Sequence, residues 1–168
     1  MRRIQIIDLD GCIADDRHRR SHLNPVLQKD HRPESDAARE AMWHEYHKHC
    51  FLDTVANLHS IQEEHVVVIT GRPLKYWTAT DMWLREVAFI RPLYMIMRNN
   101  FDRTSSVGMK RRAVNGLLDH NSYGIDRDEL VLAIDDREDI VLMYQQAFGL
   151  EAKVVRIGDH EEHYHAHA

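Results

Sequence analysis

Cysteine is scarce in this chain, and its scarcity excludes two classes of protein at once. Only Cys12 and Cys50 occur, in different segments and with no Cys-x-x-Cys pair. Neither a disulfide framework nor a zinc site of the usual spacing is available. That composition suits a reducing cytoplasm. An excess of positive charge is also missing. The net charge is -5 with 13 histidines uncounted, so no overall field favours tight nonspecific nucleic-acid binding. A small local basic patch stays open. No apolar run approaches membrane-spanning length. Met1-Arg2-Arg3 leads straight into a strand-like run, which does not read as a signal peptide. There is no internal repeat. The Gly-x-x-x-x-Gly-Lys-Ser/Thr loop that cradles nucleotide phosphates is absent as well.

What is present is an ordinary globular composition. With 168 residues the chain suggests one domain with a real core. Ile4-Gln5-Ile6-Ile7 reads as a buried strand that ends at Asp8. Residues 15–33 are polar and basic, with Pro25 and Pro33, and read as irregular. Glu34 to Cys50 reads as a helix capped by Ser35 or Asp36, with Met42, Trp43, Tyr46 and Cys50 on one face. Leu52 to Glu63 is expected as another helix. His65–Thr70, Leu93–Met97, Leu130–Ile134 and Ala152–Ile157 read as strands. The intervening Leu74–Ala88, Val107–Leu118 and Glu138–Ala147 read as helices. In the first of these Trp77, Leu84 and Val87 or Ala88 are expected to face inward. Gly149 fits the C-cap of the last. Strands alternating with helices predict an α/β fold with a parallel sheet covered on both faces. The long segment after the first strand, about residues 15–50, reads as a small helical cap. Residues 1–158 form the domain, and 159–168 read as a frayed His-rich tail.

Four short segments carry the chemistry: Asp8-Leu9-Asp10-Gly11, Thr70-Gly71-Arg72, Lys110 and Asp135-Asp136. The first, second and fourth follow expected strands, at the sheet edge where ligands bind in open α/β folds. A carboxylate such as Asp8 can attack phosphorus. Asp10 can protonate a leaving oxygen and later take a proton from water. Gly11 permits a tight turn. Asp135 and Asp136 would repel each other and Asp8 unless a cation lay between them, and Mg2+ prefers such oxygen ligands. Thr70 and the backbone of Gly71 can hold phosphate oxygens, and Arg72 can add a bidentate contact. Lys110 can screen the transferring charge. Each segment alone has a plainer reading, as solvated turn acids, a helix cap, a strand-to-helix turn or a basic helix face. That plainer reading is kept for Arg111 and Arg112. Their order and common placement favour the chemical reading for the rest.

In this order the segments resemble the motifs of the haloacid dehalogenase superfamily of phosphotransferases, over residues 4–157. A closer resemblance is to the 3'-phosphatase domain of bacteriophage polynucleotide kinase and its stand-alone phage relatives. It rests on Val67-Val68-Ile69-Thr70-Gly71-Arg72, Leu132-Ala133-Ile134-Asp135-Asp136-Arg137, His18-Arg19, and the Trp43, Tyr46, Cys50 and Asp53 stretch. The resemblance implies a three-layer Rossmann-like fold with a small helical cap. It implies Asp8 as nucleophile and Asp10 as general acid/base, with Thr70 and Lys110 holding the phosphoryl group. Mg2+ would be held by Asp8, the main-chain carbonyl of Asp10, and Asp135 or Asp136. Arg19 and Arg72, with Gly71, would serve substrate binding or support of the site. Two residues depart from the pattern. Cys12 stands where Thr or Val is usual. Ser106 stands where an Asp is usual, which would loosen Lys110 or change substrate preference.

The implied substrate is a nucleic-acid 3' end, with a nucleoside monophosphate as the alternative. No membrane is involved, and any kinase or ligase step falls to a separate partner. Two other classes share some of these groups. A phospho-accepting receiver module uses similar groups, but its acidic pair comes first and it lacks an acid placed like Asp10. The alternating His163, His165 and His167 could take transition metals, but a plain solvated tail is the preferred reading.

Overall fold

The computed structural model describes residues 2–23, 35–119 and 122–158. Pro25, Pro33, Glu34 and the tail histidines lie outside the described residues. The elements run β1 (Ile4–Ile7), β2 (Ala14–Asp15), α1 (Asp36–His47), β3 (Thr54–Val55), β4 (His65–Pro73), α2 (Trp77–Met82), β5 (Tyr94–Arg98), α3 (Ser106–Leu117), β6 (Leu130–Asp135), α4 (Glu138–Phe148) and β7 (Glu151–Val154). Among the described residues no helix is long and apolar enough to cross a membrane.

The main sheet has five parallel strands in the order β5-β4-β1-β6-β7. Its apolar runs are continuous because both faces are covered. On one face Ile4, Ile6, Val67, Ile69 and Ala133 pack under α3 and α4, against Val114, Leu117, Ile140 and Tyr144. On the other, Ile7, Val66, Val68 and Ile134 pack against Leu9, Ile13, Trp83 and Leu84. The one polar side chain inside β1, Gln5, is fully satisfied. Its amide donates to Ser60 O at 2.8 Å and its oxygen accepts from Gln62 N at 2.7 Å. From β1 the chain proceeds to β4 and β5 on one side, then returns to β6 and β7 on the other. The reversal falls between β1 and β6, and opens a crevice at their C-terminal ends. Asp8 and Asp135 stand there.

β2 and β3 pair antiparallel, with Ala14 opposite Val55 and Asp15 opposite Thr54. They close the base of the excursion that carries α1. Ser35 caps α1, its hydroxyl accepting from Ala38 N at 3.1 Å. Gly149, with φ 59°, ends α4 in the left-handed conformation.

Two expectations are corrected. Leu52–Glu63 is not a helix. It holds β3 and short 3-10 turns at Cys50–Leu52 and Leu58–Ser60. The break is enforced at Asn57, which takes φ 49° while its amide donates to Cys12 O and Arg156 O. These two long-range bonds hold Asn57 in a left-handed turn that a helix cannot continue through. In the helical stretch after β4, Leu84 and Ala88 are buried as expected, but Trp77 is 44% exposed, whereas Trp83 is buried at 1%. α2 widens into a π-helical turn over Trp83–Val87, marked by the bond from Ala88 N to Trp83 O. Trp83, at the start of that turn, donates from Nε1 to Asp53 O at 2.7 Å.

This register predicts opposite costs for two tryptophans. Trp83→Ala should destabilise the chain by about 3–5 kcal/mol, and Trp77→Ala by less than about 1 kcal/mol. Chemical denaturation checks both, and the reverse ranking would contradict the assigned inward face.

Candidate functional site

The site begins with charge placed by strand ends. β1 and β6 deliver Asp8 and Asp135, and α3 brings Lys110 between them. The Lys110 ammonium lies 2.7 Å from Asp8 Oδ1 and donates to Asp135 Oδ2 at 2.5 Å. All three side chains are buried. Burial alone would depress Lys110, but the charges of Asp8 and Asp135 outweigh it and hold the ammonium protonated. Burial pushes the Asp8 carboxyl up to about 7, against the pull of Lys110. Asp136 is pushed up to about 6 by burial and then by the Asp8 charge. Oxygens of Asp8, Asp135 and Asp136 lie within 4.8 Å of one another. Three crowded carboxylates that resist ionisation, offering only oxygen donors, fit a hard divalent cation such as Mg2+. The Asp10 carboxylate stands outside this cluster, so any share it takes in metal binding falls to its main chain.

The turn after β1 explains Gly11. Its φ is +81°, and an added Cβ would sit 2.7 Å from Asp136 Oδ2. Leu9 O accepts from Ile13 N at 2.9 Å and Ala14 N at 2.8 Å, which folds the turn tightly over the strand end. Cys12 is buried against the core below it.

Asp10 enters a second network. Its Oδ1 accepts from Arg19 Nη2 at 2.6 Å, and from Arg72 Nε at 2.9 Å and Nη2 at 2.6 Å. Its other oxygen takes none of these bonds, and the side chain stays 18% exposed at the cavity wall. Asp53 holds the same arginines from behind, accepting from Arg19 at 2.7 and 2.6 Å and from Arg72 at 2.7 Å. Burial alone would raise the Asp10 pKa, but the charges of Arg72 and Arg19 win and hold it well below the usual carboxylate range. Both guanidinium groups are fully buried. Both are turned toward Asp10 and Asp53.

An open cavity of about 810 Å³ lies over these groups. Asp8, Asp10, Gly71, Lys110 and Asp136 line it, as do Asp16, Arg20, Trp43 and His47. Asp135, Thr70, Arg19 and Arg72 are buried behind that surface. The Thr70 hydroxyl accepts from Arg72 N at 3.2 Å, and Gly71 presents open space where a side chain would stand. Ser106 accepts from Arg98 at 3.2 Å, and Lys110 is held instead by its two carboxylates. Arg111 and Arg112 are exposed, as expected of a basic helix face.

Three site residues carry no assignment from sequence. Asp53 clamps both arginines. Asp16 is buried and accepts from the Tyr46 hydroxyl and from Arg20 Nε at 2.9 Å. His47 is buried beside Asp10, with burial pulling it down to about 4. The available signal was an acid ending the apolar Cys50-Phe51-Leu52 run, which is an unusual place for an unpartnered charge.

No family model matches the chain, and no curated protein matches it in sequence. Solved structures match in shape. A chain of the Pnkp1/Rnl/Hen1 RNA repair complex superposes with TM-score 0.61 at 17% identity, over 95% of this chain and 44% of that one. This chain thus spans less than half of that relative. A haloacid dehalogenase-like family hydrolase from Streptococcus pneumoniae gives TM-score 0.58 at 12% identity, covering 91% and 84%. A HAD-family enzyme from Bacteroides thetaiotaomicron, solved as a magnesium complex, gives 0.50 at 12%, covering 97% and 98%. At such identities the likeness is one of fold, and the fold this chain adopts is that of the haloacid dehalogenase superfamily hydrolases.

Proposed function

We propose that the chain is a Mg2+-dependent phosphomonoesterase that works through an aspartyl-phosphate on Asp8, with the 3'-phosphate of polynucleotide ends as its substrate. The observation that carries this reading is the buried Lys110 held between Asp8 and Asp135 at the floor of an open cavity. Asp8, Asp135 and Asp136 would hold the cation, which when bound neutralises charge on the transferring phosphoryl group.

The chain's own groups divide the remaining work. An Asp8 oxygen attacks phosphorus while the bond to the leaving 3' oxygen breaks. Asp10 gives that oxygen a proton. A water then loses a proton to Asp10 and attacks phosphorus, which frees phosphate and restores Asp8. In the free protein Asp10 is ionised by its arginines. An arriving phosphate anion raises its affinity for a proton, and a phosphate monoanion can supply one. Lys110, Thr70 and the Gly71 backbone hold the phosphoryl oxygens. Arg19 and Arg72 keep Asp10 in place. The excursion that carries α1 serves as a small cap over the site.

Deoxynucleoside monophosphates are the second reading. The net charge of -5 and the acids Asp36, Glu40 and Asp102 on the cavity wall suit a small substrate better than a long polyanion. A separate kinase or ligase working beside this chain belongs to the end-healing reading. The Pnkp1 relative, solved in an RNA repair complex, supports it. Two free, buried cysteines fit a cytoplasmic location.

Phosphate release from a 3'-phosphorylated oligonucleotide, its 5'-phosphorylated counterpart and deoxynucleoside monophosphates decides among these. The expected result is release chiefly from the 3' end, lost with a chelator and restored by Mg2+. Asp8→Asn should abolish it. Asp10→Asn should slow it about 10²–10⁴-fold while metal still binds. Wild-type rates in Asp8→Asn would sink the nucleophile assignment. Gly11→Ala should cost more than about 1 kcal/mol of stability and weaken Mg2+ binding by displacing Asp136. A silent substitution in denaturation and metal titration would contradict the assigned turn.

A further inference from the structure

Large apolar side chains on the surface are ordinary when scattered, but one set into the wall of a charged cavity calls for an explanation. Trp43 is such a residue. It is 38% exposed and lines the same cavity as Asp8 and Lys110. Its ring is fixed from two sides. The buried Tyr46 meets it edge-on at 5.7 Å and 81°, and the buried His47 stacks on it at 5.6 Å and 27°. His47 in turn stacks on Tyr76, at 5.4 Å and 25°, so the stack ties α1 to the turn after β4. Trp83 is packed as a core residue at 1% exposure; Trp43 keeps part of its surface open.

The surroundings suit a nucleotide. One helical turn before Trp43, Arg39 lines the cavity, and Arg103 faces it from the loop after β5. Both pair with Asp36, at 3.6 and 2.9 Å. These surface pairs are weak and exchange readily for another anion. An aromatic face fixed in advance, flanked by cations and open to a phosphate-sized site, is the pattern that holds unpaired bases by stacking.

The geometry points to Trp43 as a specificity-determining residue whose open ring surface stacks the base of the nucleoside carrying the scissile phosphate. This rests on the phosphomonoesterase reading for the location of the phosphate. It adds a site for the base, and it sets nucleotides apart from sugar phosphates as substrates.

The test is equilibrium binding, made in the Asp8→Asn protein so that no turnover intervenes. The probes are two 3'-phosphorylated oligonucleotides, alike except that one has a base and the other an abasic sugar at the 3' terminus. Nucleoside 5'-monophosphate against ribose 5-phosphate makes the second pair. With Trp43 present, loss of the base should weaken binding about 5- to 100-fold in at least one pair. With Trp43→Ala that discrimination should vanish, and Trp43→Phe should keep most of it, with both variants still folded at the assay temperature by thermal unfolding. Equal discrimination with and without Trp43, or no binding of any base-bearing probe, overturns the inference. Failure of the hydrolase reading shows separately, as absence of phosphate release by the unmodified chain despite base-dependent binding.

Discussion

The ammonium of Lys110, buried between the carboxylates of Asp8 and Asp135, is the interaction on which the site depends. Three acids meet at the end of two neighbouring strands, where burial and mutual repulsion both oppose their ionisation. One fixed cation lowers that cost, and a bound divalent ion would lower the rest. The fold makes this meeting unavoidable. The strand order reverses between β1 and β6, so the ends of those two strands share one crevice. The helix that follows β5 enters it with Lys110 on its core-facing side, among Met109, Ala113 and Val114.

Asp8 and Asp10 are separated by a single residue, yet their environments push them apart. Burial and nearby acids raise the first, whereas two guanidinium groups hold the second ionised. One strand end thus carries two carboxyls of very different proton affinity. Asp53 makes the arrangement rigid. It holds Arg19 and Arg72 from behind, so the same two arginines link Asp10 to the segment that carries α1. Asp10 and the segment that carries α1 are thereby held to the same pair of guanidinium groups.

Much of this was legible in the sequence because it is local. Apolar runs that stop at Asp8, Thr70 and Asp135 announce both the parallel sheet and the edge where chemistry collects. Ser35 and Gly149 mark helix ends by their own backbone chemistry. What could not be read depends on partners distant in the chain. Asp53 is separated from Arg19 by 34 positions and from Arg72 by 19, and its place at the end of an apolar run says that it needs a partner without saying which. The stretch after Leu52 has a helix-like composition, but Asn57 finds two backbone carbonyls far along the chain and turns instead. Trp77 stays on the surface while Trp83, which carried no assignment from sequence, enters the core at the start of a wide helical turn that periodicity does not register.

The most direct test of the account is to catch the phosphoryl group on the chain. A reaction with a labelled 3'-phosphorylated strand, quenched in acid during turnover and mapped by peptide, should place the label on the segment that contains Asp8. The label should be lost with alkali, as an acyl phosphate is, and should be missing from Asp8→Asn. Steady release of phosphate with no label on the chain, or label on another residue, would contradict Asp8 as the nucleophile.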